Sequence, residues 1–234
     1  MPFQPIEPRR LYRQIADQIR LLIQSGEFPV GARLLPERDL ALKLGVSRPS
    51  VREALIALEV EGLVEVRMGS GIYVRSSHAA DSVVAESPLE TILARQLVEG
   101  ELAAQAAELA QPTHVAGLRE ALQTMQAEAT AGQVPIQGDR LFHIRIAEIA
   151  NNSVLLRVVG ELFDERHNPL SVRLGDHFEN PASWQAAIQE HGRVVDAIAA
   201  GDAVRAREAM RHHLSCSHDR LTANWAAPSD KVKS

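Results

Sequence analysis

Two short alternating runs, LVEVR at 63–67 and GIYVR at 71–75, face each other around the turn MGSG. Alternation over that length, broken by glycines, is the signature of a β-hairpin. Every other ordered stretch of the chain repeats with helical period, so the hairpin's place in the order of elements fixes the fold of this region. Before it, Leu11, Ile15, Ile19, Leu22 and Ile23 recur at i, i+4, i+8, i+11 and i+12, which predicts a helix over 11–25. GEFPVG ends that helix. ERDLALKL at 37–44 is a second, short helix, stopped by Gly45. In VSRPSVREALIALEVEGL, Ser47 is a good N-cap and Ser50 a second candidate at a nearby register. Val51, Ala54, Leu55 and Leu58 form the buried stripe of this third helix, and Gly62 ends it.

Helix, helix, helix, hairpin is the order of a winged helix-turn-helix, with a tight glycine-containing turn between the second and third helices. The start of the third helix is the usual DNA-reading end. Ser47, Arg48, Pro49, Ser50 and Arg52 stand there, Arg38 and Arg67 extend the basic surface, and Gly69 marks the wing tip. Hydroxyls reach phosphates, and arginines reach phosphates or guanine edges. Charge supports the assignment. The chain carries −5 overall, yet residues 1–75 hold 11 Lys/Arg against 9 Asp/Glu, whereas 76–234 hold 14 against 21. Only the first third can attract a polyanion.

SSHAADSVVAESP at 76–88 is small and polar and reads as a linker. Beyond it the patterns are helical, over roughly 89–110, 113–131, 135–150, 153–168, 181–200 and 202–224, with prolines at or near the boundaries. The expectation is a mainly α protein: a winged helix-turn-helix at 1–75, a linker at 76–88, an all-helical bundle at 89–226 and a tail at 227–234. No run of 18 apolar residues suggests a membrane span, and the polar N-terminus lacks a signal peptide's apolar core. One cysteine, Cys216, excludes an internal disulfide and a zinc ribbon, which fits a reducing cytoplasm.

One pair in the bundle raises a chemical question. In GDRLFHIRIAE, Asp139 and His143 are four residues apart and share a helix face. Taken alone they suit an ordinary ion pair worth about 0.2–0.5 kcal/mol, or half of a metal site.

The segment LLPERDLALKLGVSRPSVREALIALEVEGLVEVRMGSGIYV at 34–74 resembles the GntR family of bacterial transcription regulators. It departs from the family pattern at Leu35 and Pro36, where proline and a capping serine are usual. LVEGELAAQAAELA at 97–110, DRLFHIRIAEIANNSVL at 139–155 and EHGRVVDAIAAGDAVRAREAMRHHL at 190–214 resemble the FCD ligand-binding domain of the FadR-type subfamily. IEPRRLYRQIA and LEVEGLVEVRMGSGI are similar to the hexuronate-utilisation regulators within it.

The resemblance implies a homodimer that binds a palindromic operator in double-stranded DNA, a repressor ahead of an activator, whose operator contacts change when a metabolite binds. It places Asp139, His143, His191 and His213 on metal-ligand positions. One aspartate and three imidazoles suit a divalent ion, zinc foremost, with nickel, manganese or iron as alternatives. A small carboxylate or sugar acid is the implied effector, with Arg95 and Arg145 as candidate partners and Arg173 as a third. Asn152 matches a family position and fits as the cap of the helix at 153. Two other functions compete. A metal-dependent hydrolase or isomerase fused to a DNA-binding module lacks an HExxH motif and an obvious general base. A metal sensor, in which the ion is itself the signal, has the same sequence requirements as the effector-responsive regulator.

Overall fold

A computed structural model of the chain describes residues 10–78 and 85–223. Packing divides it into two compact units: one reaches Ser87 and includes Val172–His177, and the other comprises Pro88–Ser171 and Phe178–Ala223. Residues 79–84 of the expected linker and the expected tail at 227–234 lie outside the described residues.

The first unit contains α1 (Leu11–Gln24), α2 (Glu37–Leu44), α3 (Arg48–Val60) and the antiparallel strands β1 (Val64–Arg67) and β2 (Gly71–Val74). Helix α3 lies at its centre. Val51, Ala54, Leu55, Ile56 and Leu58 are all sealed from solvent, and α1, α2 and β1 pack around them. Ser47 caps α3, its side chain accepting from the Ser50 N–H, so Ser47 rather than Ser50 is the cap. Pro36 stands at the N-cap of α2 and supplies no side-chain cap, which follows from the missing serine. Gly45 closes α2 at φ 66°, a left-handed position that favours glycine. An isolated bridge from Arg33 to Tyr73 adds a third short edge to the wing.

The second unit is wholly helical among its described residues: α4 (Pro88–Leu109), α5 (Pro112–Thr130), α6 (Ile136–Ile149), α7 (Ser153–Asp164), a 3₁₀ turn (Glu165–His167), the flanking parts of α8 (Pro169–Phe178), α9 (Pro181–Ala199) and α10 (Ala203–Thr222). Helix α8 was not expected from sequence, where the stretch after Pro169 shows no sustained apolar period. Helix α10 lies along α4 and α9, while α5 packs on α6 and α9. Leu102, Phe142, Ile146, Val194, Met210 and Leu214 are core members of this bundle. Asn152 caps α7, accepting from the N–H groups of Val154 and Leu155. Gly138 lets α6 approach α5: a Cβ there would strike the Met125 backbone and lie 2.9 Å from the Ala121 carbonyl oxygen. That close approach sets the depth at which Asp139 enters the core. No helix among the described residues is long and apolar enough to cross a membrane.

Candidate metal centre and DNA-reading surface

Asp139 and His143 both point inward from α6, with 7% and 1% of their surfaces exposed. Helix α9 brings His191 beside them and α10 brings His213, also buried. One ligand atom from each of the four residues falls within 4.8 Å of the other three. The sequence-predicted quartet is therefore one spatial cluster. The imidazole rings of His191 and His213 are 4.0 Å apart, and those of His143 and His191 are 5.2 Å apart. Phe142 packs edge-on against the His191 ring, and the fully buried Phe163 lies beside His143. These contacts hold the rings and keep bulk water out.

Protonation follows from partners that can only accept. His191 Nδ1 is 2.7 Å from the Ala187 carbonyl oxygen and must donate to it. His213 Nδ1 is 2.9 Å from Glu190 Oε2 and donates likewise. His143 Nδ1 lies in direct contact with Glu99 Oε2, and neither atom has another partner among the described residues. In neutral imidazoles each remaining Nε2 is then a lone pair. The Nε2 atoms of His143 and His191 are 3.2 Å apart, and Asp139 Oδ1 is 3.0 Å from the second and 3.5 Å from the first. Acceptors facing acceptors at such range repel unless a cation lies between them. This donor set fits a divalent ion.

The electrostatics point the same way. Burial pushes the Asp139 carboxyl up, but the Arg166 charge and the two histidines outweigh it and hold it well below the usual carboxylate range. Burial, reinforced by His191, lowers His213 to about 3, which leaves it uncharged at neutral pH. Burial opposes a proton on His143, yet the Glu99 charge together with the hydrogen bonds to Asp139 and Glu99 outweighs it and raises that group. In the absence of an ion, a proton on His143 can bridge to Asp139.

A cavity of about 50 Å³ adjoins the cluster. Asp139, His213, Arg95, Arg166, Trp184 and Arg220 are among its lining residues. Arg166 pairs with Asp139 Oδ2, Arg220 pairs with Glu190, and Arg95 pairs with Glu99 at 2.6 Å. Arg95 Nη2 and the indole Nε1 of Trp184 are buried with no hydrogen-bond partner among the described residues. Two buried donors without a partner thus belong to residues that line this cavity, beside two guanidinium groups paired with carboxylates. Arg95, a candidate effector partner from the sequence, lines this cavity. Arg145 does not: it reaches the Gly117 carbonyl and Glu120, beside a separate depression lined by His114 and Gly117. Arg173 does not line the cavity either. Sequence reading missed Arg166, Trp184, Arg220, Glu99 and Glu190. Their roles arise from chain separations that no local pattern reports. Glu190 adjoins His191 in the chain, and neighbours in a helix do not share a face. It does turn away from His191, and it meets His213 instead.

In the first unit, Arg33, Arg38, Arg48, Arg67 and Gly69 line one groove between the start of α2 and the wing. Arg38 is 75% exposed in its side chain, Arg67 54% and Arg48 45%. Ser47 and Ser50 bond to each other at the helix start beside Pro49. Arg33 was not anticipated, although it directly precedes the quoted motif. Arg52 departs from the expected role. It is 1% exposed and grips Glu37 through Nε and Nη2 at 2.9–3.2 Å, so it ties α3 to α2 inside the domain instead of facing DNA. Arg48 shares the Arg52 face, four residues earlier, and reaches the same carboxylate from outside at 3.0 Å.

A winged helix carrying a basic groove, joined in one chain to an all-helical domain, is the architecture of a transcription regulator. The chain belongs to the GntR family: residues 11–74 match the model of bacterial regulatory proteins of that family, and residues 90–215 match the FCD domain. It is 36% identical over 224 residues, 91% of this chain and 87% of the relative, to the Uxu operon transcriptional regulator of Escherichia coli K12. It is 35% identical over 221 residues, 89% and 83% of the two chains, to the Exu regulon transcriptional regulator of the same strain. Among solved structures it is similar to E. coli McbR/YncC, at 25% identity and a TM-score of 0.53, covering 92% of this chain and 98% of that one. The protein is a regulator and not an enzyme, which sets aside the metal-dependent hydrolase or isomerase.

Proposed function

We propose that the protein is a homodimeric repressor that holds a divalent ion, zinc foremost, on Asp139, His143, His191 and His213, and that a carboxylate binding beside the ion changes its hold on a palindromic operator. The observation that carries this reading is the convergence of acceptor atoms, each imidazole having its Nδ1 proton already committed elsewhere. Four protein ligands suit zinc, and an ion that takes more ligands would leave positions open for a carboxylate. Arg38, Ser47, Arg48, Pro49, Ser50, Arg67 and Gly69 serve operator binding, joined by Arg33.

The effector is a small carboxylate or sugar acid. Arg95 Nη2 and Trp184 Nε1 are donors awaiting acceptors, which favours an acid with a second oxygen function over a plain carboxylate. About 50 Å³ holds a few water-sized groups. A hexuronate, the acid class implied by the resemblance and consistent with the Uxu and Exu names of the relatives, therefore requires Arg166 or Arg220 to swing outward, and both are partly exposed.

Calorimetry of the zinc-loaded protein against D-glucuronate, D-galacturonate and L-lactate tests the assignment. At least one acid binds the wild type, and Arg95→Lys weakens that acid by roughly 1.5–3 kcal/mol, since lysine keeps a charge for Glu99 but has no second nitrogen to reach the acid at the same time. Equal affinity for the variant would remove Arg95 from the site, and no heat with any of the acids would remove this effector class.

A further inference from the structure

We infer that Glu99 and Glu190 are positioning residues that aim the Nε2 atoms of His143 and His213 at the ion. The inference rests on the metal reading above and goes beyond it to residues that are not ligands. Each carboxylate faces the Nδ1 of one histidine: Glu190 Oε2 accepts from His213 at 2.9 Å, and Glu99 Oε2 lies against His143. A ring whose Nδ1–H is held by a carboxylate cannot rotate or change tautomer without losing that bond, so its other nitrogen is fixed in direction. Carboxylate behind imidazole also makes that nitrogen a stronger donor to a metal. His191 is held differently, by the Ala187 carbonyl one turn back on its own helix.

Neither carboxylate is free to wander. Arg220 clamps Glu190 from Nη1 at 2.7 Å and from Nη2 at 3.1 Å, and Arg95 holds Glu99 Oε1 at 2.6 Å. The two supports come from elements remote in sequence. Glu99 on α4 serves His143 on α6, and Glu190 on α9 serves His213 on α10, so the arrangement braces four helices around the cluster. Glu99 and Glu190 are 2% and 7% exposed, and burying a carboxylate at that depth is costly without specific partners. Both are spent on a histidine and an arginine.

The experiment is zinc affinity by chelator competition, together with the ligand-field spectrum of the cobalt-substituted protein. The variants are Glu190→Gln, Glu190→Ala and Glu99→Gln, with Glu101→Gln as a control on an exposed carboxylate that pairs with Arg207 and Arg211. A glutamine oxygen can still accept from Nδ1 but lacks the charge, so the expected order of affinity is wild type, then Glu190→Gln, then Glu190→Ala. The alanine variant falls by roughly 10–100-fold. Glu99→Gln weakens zinc in the same sense, and the cobalt bands shift in all three while Glu101→Gln matches wild type. Circular dichroism of each ion-free protein separates lost orientation from lost fold, and Glu190→Gln, close in shape to the wild type, carries the conclusion if Glu99→Gln unfolds. Zinc affinity and cobalt spectra equal to wild type in Glu190→Gln and Glu190→Ala would overturn the inference while leaving the metal reading intact. A wild-type protein that takes up no ion overturns both.

Discussion

His191→Ala will weaken zinc uptake by more than the roughly 10–100-fold expected for losing an outer-shell partner, because it removes a ligand itself. His191 is fully buried, and its Nε2 is the atom closest to both Asp139 Oδ1, at 3.0 Å, and His143 Nε2, at 3.2 Å. Without it the remaining Asp139, His143 and His213 leave a tetrahedral ion one ligand short. The protein should keep its helical circular dichroism, since one truncated ring against Phe142 leaves most of the core intact. Competition against a chromophoric chelator measures the loss, and an affinity within about twofold of wild type would exclude His191 as a ligand. Acid should act in the same direction. The pKa of His143 is raised, so its proton competes with the ion, and zinc affinity falls as pH drops through the range where that proton is retained.

Glu37→Ala will destabilise the DNA-binding domain by about 3–5 kcal/mol, the usual cost of stripping one partner from a buried ion pair. Arg52 has 1% of its surface exposed and its guanidinium rests on Glu37, so the substitution takes an ionic partner from a buried charge in the joint between α2 and α3. Arg38→Ala, on an exposed side chain one residue away, should cost no more than about 0.5 kcal/mol. Replacing both members of the pair, as Glu37→Leu with Arg52→Met, should recover much of the loss, because the buried guanidinium is then gone with its carboxylate. Chemical denaturation of the three variants reads these differences. A loss below about 1 kcal/mol for Glu37→Ala would show that Glu37 is not what holds Arg52 in the core.

These two residues show how far the sequence could be read. The helix-turn-helix and its wing were legible because each boundary carries a local cause: Ser47 caps α3, Gly45 stops α2, and alternation in Val64–Arg67 and Gly71–Val74 makes the hairpin. Arg52 was misjudged because helical register alone does not say which neighbour a face meets. Its direction is set by Glu37, fifteen residues away on another helix. The metal quartet was half legible in the i, i+4 pair, and the resemblance supplied His191 and His213. Glu99, Glu190, Arg166 and Trp184 were not legible, since nothing near them in the chain announces an imidazole, a carboxylate or a cavity. Helix α8 was missed for the converse reason: its residues carry no local pattern strong enough to declare it.

Whether ligands of the helical domain govern operator binding is read from operator affinity in three states: metal-stripped, zinc-loaded, and zinc-loaded with the acid identified by calorimetry. At fixed zinc the acid should lower operator affinity by about 5–150-fold, the range of ordinary allosteric coupling. The same mechanism requires that His191→Ala abolish the response while still binding operator. A change produced by zinc alone, with no further effect of any acid, would make the ion the signal. Operator affinity equal in all three states would mean that neither the ion nor the acid controls DNA binding.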